Sequence, residues 1–265
     1  MNKGKKDYTF EELIGIIELL RGENGCPWDR VQTHESIKGN LIEEAYESVE
    51  ALESGDKDAF ADELGDVLLQ VVFHSEIGKS ENTFTIQDVL NHVCNKLISR
   101  HTHIFGSDTA DTPSEVMDTW EKNKQQEKGF TSITEDLKGV CRYLPALLRA
   151  QKVSKKAAKV GFEWDTINDV MAKVQEEVQE LALAVQHGST AEMEEELGDL
   201  LFAAVNIARF ADFKAEDALN RAVEKFISRF EKVEQSANGS GHSLSELSAE
   251  ELDCLWKDAK KSESC

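Results

Sequence analysis

A chain of 265 residues with 40% hydrophobic content is large enough for two modest domains, each with its own core. Its formal charge of −21 excludes the basic footprint of a general nucleic-acid binder. Five cysteines (Cys26, Cys94, Cys141, Cys254 and Cys265) form no C-x-x-C pair, no apolar stretch long enough for a secretion signal follows Met-Asn-Lys-Gly-Lys-Lys-Asp, and no apolar run reaches membrane-spanning length; a reducing cytoplasm is expected, with no membrane partner.

Only three prolines, with heavy use of Glu, Lys, Ala and Leu, predict an all-α fold. The first helix is expected over about Phe10–Arg21, with Leu13, Ile16, Ile17 and Leu20 on one stripe. Residues 22–33, with Gly25, Pro27 and Trp28, read as a loop. A helix from about Leu41 to Glu53 carries Leu41, Ala45, Val49 and Leu52 on one face, and Ser54-Gly55-Asp56 reads as a turn. The next helix, about Ala59–Ile77, contains Val67-Leu-Leu-Gln-Val-Val-Phe73, so apolar that packing on several faces is expected. Two more follow, about Ile86–Arg100 and Ser114–Lys128. The second half repeats the plan near 168–187, 190–211 and 215–234. Residues 236–243 read as a flexible linker to a last helix at about 248–261.

The repeat sets the architecture. Glu43-Glu44-x-x-Glu47, fifteen residues, then Glu63-Leu-Gly-Asp66 recurs as Glu176-Glu177-x-x-Glu180, fifteen residues, then Glu196-Leu-Gly-Asp199, every position shifted by 133. Trp28-Asp29 matches Trp164-Asp165, Lys96-Leu-Ile-Ser-Arg100 matches Lys225-Phe-Ile-Ser-Arg229, and Trp120-x-x-x-Lys124 matches Trp256-x-x-x-Lys260, in the same order. Two domains are expected, 1–130 and 131–265.

Gly55 lies 8 and 11 residues after Glu47 and Glu44, and 8 and 11 before Glu63 and Asp66; Gly188 divides the second copy in the same way. If each copy is a helical hairpin turning at that Gly, its four acids meet level with one another. Residues three or four apart share a helical face, so Glu44 projects with Glu47 and Glu63 with Asp66. Unpaired carboxylates crowded beside an apolar helix cost several kcal/mol each by order of magnitude, and a divalent cation relieves that cost. All-oxygen ligands suit Mg²⁺ or Mn²⁺. The alternative is a solvated, Glu-rich helix surface, and a di-iron bundle is disfavoured because no His stands three residues after the acids. Lys96 with Arg100, and Lys225 with Arg229, are i,i+4 cation pairs suited to a polyphosphate. Trp120 with Lys124, and Trp256 with Lys260, set an aromatic beside a cation, suited to a base and a phosphate.

These motifs resemble the MazG family of nucleoside triphosphate pyrophosphohydrolases, whose pattern is E-x-x-E, a spacer, then E-x-x-D. Cys26-Pro-Trp-Asp29, Leu41-Ile-Glu-Glu-Ala-Tyr-Glu47 and Arg100-His-Thr-His-Ile-Phe-Gly106 look like the N-terminal half of its two-domain members. Lys155-Lys-Ala-Ala-Lys-Val-Gly-Phe-Glu-Trp-Asp165 and Glu195-Glu-Leu-Gly-Asp199 look like the C-terminal half. The resemblance implies tandem all-α domains with hairpins assembling into four-helix-bundle-type cores. It implies Mg²⁺-dependent hydrolysis of (d)NTPs to monophosphate and pyrophosphate, and a homodimer or higher homo-oligomer. It credits the second copy with the main activity and gives Lys173, Glu177, Glu180, Glu196, Asp199, Lys225, Arg229, Trp256 and Lys260 metal or nucleotide roles. Asn40 stands where the first copy would carry the counterpart of Lys173. Either Glu176 or Glu177 would orient or deprotonate the attacking water. Narrower substrates (dUTP, a damaged purine nucleotide, phosphoribosyl-ATP) and a non-catalytic oligomerisation module are the competing readings.

Overall fold

A computed structural model of the chain describes residues 7–261; the N-terminal stretch 1–6 and Cys265 lie outside them. Every regular element among the described residues is a helix, and the chain divides into two compact units between Glu127 and Lys128.

The first unit contains α1 (Phe10–Arg21), α2 (Pro27–Val31), α3 (His34–Ser54), α4 (Lys57–Ser80), α5 (Ile86–Arg100), α6 (Thr102–Phe105) and α7 (Pro113–Lys128, ending one residue past the division). Thr9 caps α1 with a reciprocal bond from Glu12, which is why the apolar stripe begins at Phe10. Ile17 from α1, Ile37 from α3 and Val72, Phe73 and Ile77 from α4 form the buried centre of this unit. The loop expected over 22–33 contains the short helix α2, entered through Pro27 at its first turn. Helix α3 begins at His34, well before Leu41. Thr33 and Ser36 cap each other reciprocally, a signal outweighed at sequence level by the polar run after it. His34 stacks on His74 of α4 with ring centroids 5.1 Å apart, the two Nδ1 atoms lie 2.8 Å apart, and burial followed by the His34 charge holds His74 below its ordinary value.

The second unit contains α8 (Ile133–Lys138), α9 (Ala146–Ala158), α10 (Ile167–His187), α11 (Thr190–Phe210), α12 (Ala215–Gly239), a 3₁₀ turn at Leu244–Glu246 and α13 (Ala249–Lys261). The linker expected over 236–243 is corrected in its first half. Val233 and Ala237 are buried, and their packing carries α12 on to Gly239. Helix α9 crosses α11, and α13 packs on α12.

Each hairpin turns where the spacing predicts. Gly55 and Gly188 close α3 and α10 in the left-handed conformation, φ 77° and 72°, a region in which a Cβ is strained. Asp56 and Ser189 then cap the returning helices. The caps of the outgoing helices, Thr33 and Thr166, also differ by the same 133 positions.

The apolar returning helices are not covered on all sides within a single chain. Leu64 and Leu68 on α4, and Leu197, Leu201 and Phe202 on α11, are each at least 40% exposed. Tyr46, Val49 and Leu52 on α3, and Val178 and Val185 on α10, are exposed as well. No helix among the described residues is long and apolar enough to cross a membrane.

Candidate functional site

In the first unit, Glu44 of α3 meets Glu63 and Asp66 of α4, each offering an oxygen within 4.8 Å of the others. In the second, Glu177 of α10 meets Glu196 and Asp199 of α11 on the same terms. Each triad therefore draws one acid from the outgoing helix and two from the returning one. The fourth member of each predicted set, Glu47 or Glu180, stands at the edge of its triad. Glu47 is close enough to raise the Glu44 and Glu63 pKa values, and Glu180 feels Glu177 and Glu196. Glu43 and Glu176 lie on the exposed side of their helices.

The electrostatics are those of acids held near one another. Glu44 is pushed up by burial first, then by Asp66 and Glu47. Glu196 is raised by burial, then by Glu177 and Asp199, and Glu180 by burial and then Glu177. Burial disfavours the carboxylate, and so does a neighbouring carboxylate. Glu177 is 5% exposed, the deepest acid of either triad. The two units answer the crowding differently. In the second, the Lys173 ammonium bridges Glu176 at 2.7 Å and Glu177 at 2.8 Å, and these two hydrogen bonds hold Lys173 well above its ordinary value. In the first, Asn40 stands at that position, and the Gln70 amide, at 3.5 Å, eases the Glu44 charge that Asp66 and Glu47 oppose.

The predicted cations and aromatics form a second group in each unit. On α5 and α7, Arg100 is buried and gives Glu127 a two-pronged contact at 2.8 and 3.1 Å. It also lies 5.0 Å from the Trp120 ring centre, with Lys124 4.9 Å from the same ring. Arg100 is thus held by its own unit, while Lys96 lines an open concavity with His92, Asn95 and Ser99. On α12 and α13, Trp256 packs against Phe226 at 5.1 Å and Lys260 sits 5.8 Å from the Trp256 ring, with Lys225 and Arg229 along the same α12. His101 and His103 are neighbours, but neither belongs to a cluster of metal-ligating groups among the described residues.

Two features escaped the sequence reading. One is a cavity of about 250 Å³ beside the first triad, lined by Trp28, Asp29, Asn40, Glu44, Gln70 and Phe73 among others. The repeated Trp-Asp pair was the available signal for it. The other is a buried polar lock in the second unit. Ser154 donates to Asn206, Arg209 bonds Ser154 at 2.9 Å and Asn206 at 3.3 Å, and its far end clamps Glu163.

The comparisons with known proteins agree with this duplicated geometry. The MazG nucleotide pyrophosphohydrolase domain matches the chain twice, over residues 32–105 and 165–234. The chain is 45% identical over 251 residues to the nucleoside triphosphate pyrophosphohydrolase/pyrophosphatase MazG of Thermotoga maritima, covering 95% of both. It is 40% identical over 257 residues to the nucleoside triphosphate pyrophosphohydrolase of Escherichia coli strain K12, covering 96% of this chain and 98% of that protein. It is also 43% identical to YabN of Bacillus subtilis, an uncharacterized protein of which it spans 52%. With both hairpins, both acid triads and both matched segments in register, the chain belongs to the MazG nucleotide pyrophosphohydrolase family and carries the family's domain twice.

Proposed function

We propose that the chain hydrolyses nucleoside and deoxynucleoside triphosphates to monophosphate and pyrophosphate, with broad base tolerance, using Mg²⁺ or in its place Mn²⁺. The observation that carries the reading is the convergence of three carboxylates on one point in each hairpin. The donor set fits a hard dication: every candidate ligand is a carboxylate oxygen, and burial and mutual repulsion leave Glu44, Glu63 and Glu196 short of positive charge. In the second unit Glu177, Glu180, Glu196 and Asp199 would hold it; in the first, Glu44, Glu47, Glu63 and Asp66. A dication bound there supplies charge against phosphate oxygens and acidifies a water. The names of the Thermotoga and Escherichia coli relatives support the substrate class.

The chain's own groups then do the rest. Lys173, Lys225, Arg229 and Lys260 neutralise the phosphate chain, and Trp256 offers a face to the base. Lys96, Arg100, Trp120 and Lys124 take the matching roles in the first unit. Water forms a bond to one of the two phosphorus atoms as the α–β bridging P–O bond breaks, its proton passes to Glu176 or Glu177, and monophosphate and pyrophosphate part. Phosphoryl chemistry of this kind is positioning and charge stabilisation, so no covalent nucleophile is required. We assign one domain to each half, 1–130 and 131–265, and a homodimer or larger homo-oligomer, in which a second copy covers the open apolar sides of α4 and α11. The free thiols Cys26, Cys94, Cys141 and Cys254 suit a cytoplasmic protein.

Chromatographic product analysis with a panel of (d)NTPs tests the reaction. Monophosphate and pyrophosphate are expected from several bases; diphosphate and phosphate would overturn it, and turnover of one nucleotide alone would replace it with a narrow-specificity enzyme.

The Lys173–Asn40 difference makes a second expectation. Lys173 is a built-in cation that competes with a dication for Glu177. Lys173→Met should therefore tighten Mn²⁺ binding at the second triad about tenfold, equivalent to about 1.4 kcal/mol, and Asn40→Lys should weaken it at the first. Calorimetric titration of the metal-free chain with Mn²⁺ reads both; unchanged affinities would remove the competition.

A further inference from the structure

Residues 138–159 hold seven cations (Lys138, Arg142, Arg149, Lys152, Lys155, Lys156, Lys159) and not one acid, in a chain whose formal charge is −21. They occupy the end of α8, the loop 139–145 and all of α9. The nearest acids before the stretch are already engaged. Asp136 is buried and paired with Lys156 at 2.6 Å, and the Glu135 carboxylate accepts from the Thr131 backbone N–H at 2.7 Å and its hydroxyl at 2.9 Å. Lys138, Arg142, Arg149, Lys152 and Lys155 are exposed and form no ion pair among the described residues.

This charge surrounds a concavity of about 720 Å³, lined by Lys138, Arg142, Arg149, Cys141 and Tyr143. Its floor is anchored: Val140 is buried and its N–H donates to Leu137 at 3.1 Å, while the Asp136–Lys156 pair ties α8 to α9. Tyr143 stands 89% exposed at the rim. The Glu216 carboxylate comes close, accepting from the Leu148 N–H at 3.1 Å beside Arg149, but the lining itself carries Lys138, Arg142 and Arg149 and no carboxylate. Like charges that share a concavity repel one another, so an anion lowers their energy. The volume is that of a small-molecule site. A long nucleic acid would have to run on over the acid-rich remainder of the chain, whereas a compact polyanion stays inside the concavity. An exposed aromatic ring beside guanidinium groups offers a stacking face.

We propose that this concavity is a second binding site, separate from the acid triads and independent of divalent metal, for a compact polyphosphate chain, with Tyr143 adding affinity when that chain carries a nucleoside. Lys138, Arg142 and Arg149 face the phosphates, and Tyr143 faces the ring. The source is free polyphosphate or a nucleoside polyphosphate, and the two are separable by their dependence on Tyr143.

The test is calorimetric titration of the full chain in EDTA, where the triads hold no dication and repel phosphate. The probes are inorganic tripolyphosphate and ATP. Saturable binding of both is expected, weakening as salt rises. Arg142→Glu with Arg149→Glu should weaken both at least tenfold, and Tyr143→Ala should weaken ATP alone. Thermal melts confirm that each variant folds, and Arg142→Ala alone serves if the double variant does not. Absence of binding by the parent chain in EDTA, or equal binding by the arginine variants, overturns the proposal. So does a change in assembly mass without loss of binding, which would make the patch a subunit contact.

Discussion

Glu196→Gln is expected to reduce pyrophosphate release by about 1,000-fold or more, the scale on which loss of one group stabilising a charged transition state is felt. The substitution keeps the shape of the side chain and removes its charge. Glu196 sits where its oxygen joins those of Glu177 and Asp199. Its carboxylate is disfavoured there by burial and by both neighbours. A neutral amide relieves that repulsion, so the metal-free variant should melt no lower than the parent in EDTA. That combination, an intact or firmer fold with turnover gone, is what a ligand or catalytic role predicts and a structural role does not. The matching Glu63→Gln should have a smaller effect, because the second copy is assigned the main activity. Full activity of Glu196→Gln with Mg²⁺ and several NTPs would sink the assignment of the second triad.

Arg209→Met is expected to destabilise the second unit by about 3 kcal/mol, as when one partner of a buried ion pair is removed, and to lower its melting temperature by about 10 °C. Arg209 is largely buried and fixes four groups at once. Its Nε bonds Ser154 and Asn206, its two terminal nitrogens clamp Glu163, and its guanidinium covers the Phe210 ring at 4.9 Å. Asn206 is wholly buried, so loss of Arg209 leaves its carbonyl oxygen and the Ser154 hydroxyl with one partner fewer. The effect carries a pH signature. Arg209 holds the Glu163 carboxyl below its ordinary value, against burial, which opposes it. A depressed folded pKa contributes stability that is present above the unfolded value, near 4.5, and is lost as pH falls through the folded value. The gap between parent and variant should be full at pH 7 and narrow below about pH 4.5. Paired thermal melts across that range check it; a gap independent of pH would assign the loss to packing alone. Helix α11 also carries Glu196 and Asp199, so the lock fixes the helix on which two of the three triad acids stand.

The spacing of the acids around Gly55 and Gly188 was enough to read the hairpins, their turns and the meeting of Glu44 with Glu63 and Asp66. It worked because a helical hairpin is a ruler: equal counts on either side of a left-handed Gly bring side chains level. The same ruler sets Glu47 and Glu180 beside the three acids whose oxygens lie within 4.8 Å of one another. One turn nearer the loop, they flank the triads closely enough to act on their charge. The early start of α3 was hidden because Thr33 and Ser36 cap a stretch with no apolar stripe. The Arg209 lock was hidden because Ser154, Glu163 and Asn206 are distant in sequence and polar in a core, where no periodicity announces them. Leu197, Leu201 and Phe202 stand exposed within the single chain, since hydropathy says that a surface wants covering and not whether its own chain covers it.

The two hairpins keep one metre throughout. Threonine caps, 21-residue outgoing helices, left-handed glycines and acid triads all fall in step between α3 and α10 and the helices that answer them. A segment lifted from 166–210 and set into 33–77 would keep every cap, bend and carboxylate in phase, yet it would put Asn206 where Phe73 fills the first core, away from the Ser154 hydroxyl that pairs it. The halves therefore share a frame and keep separate cores, and each answers for its own stability.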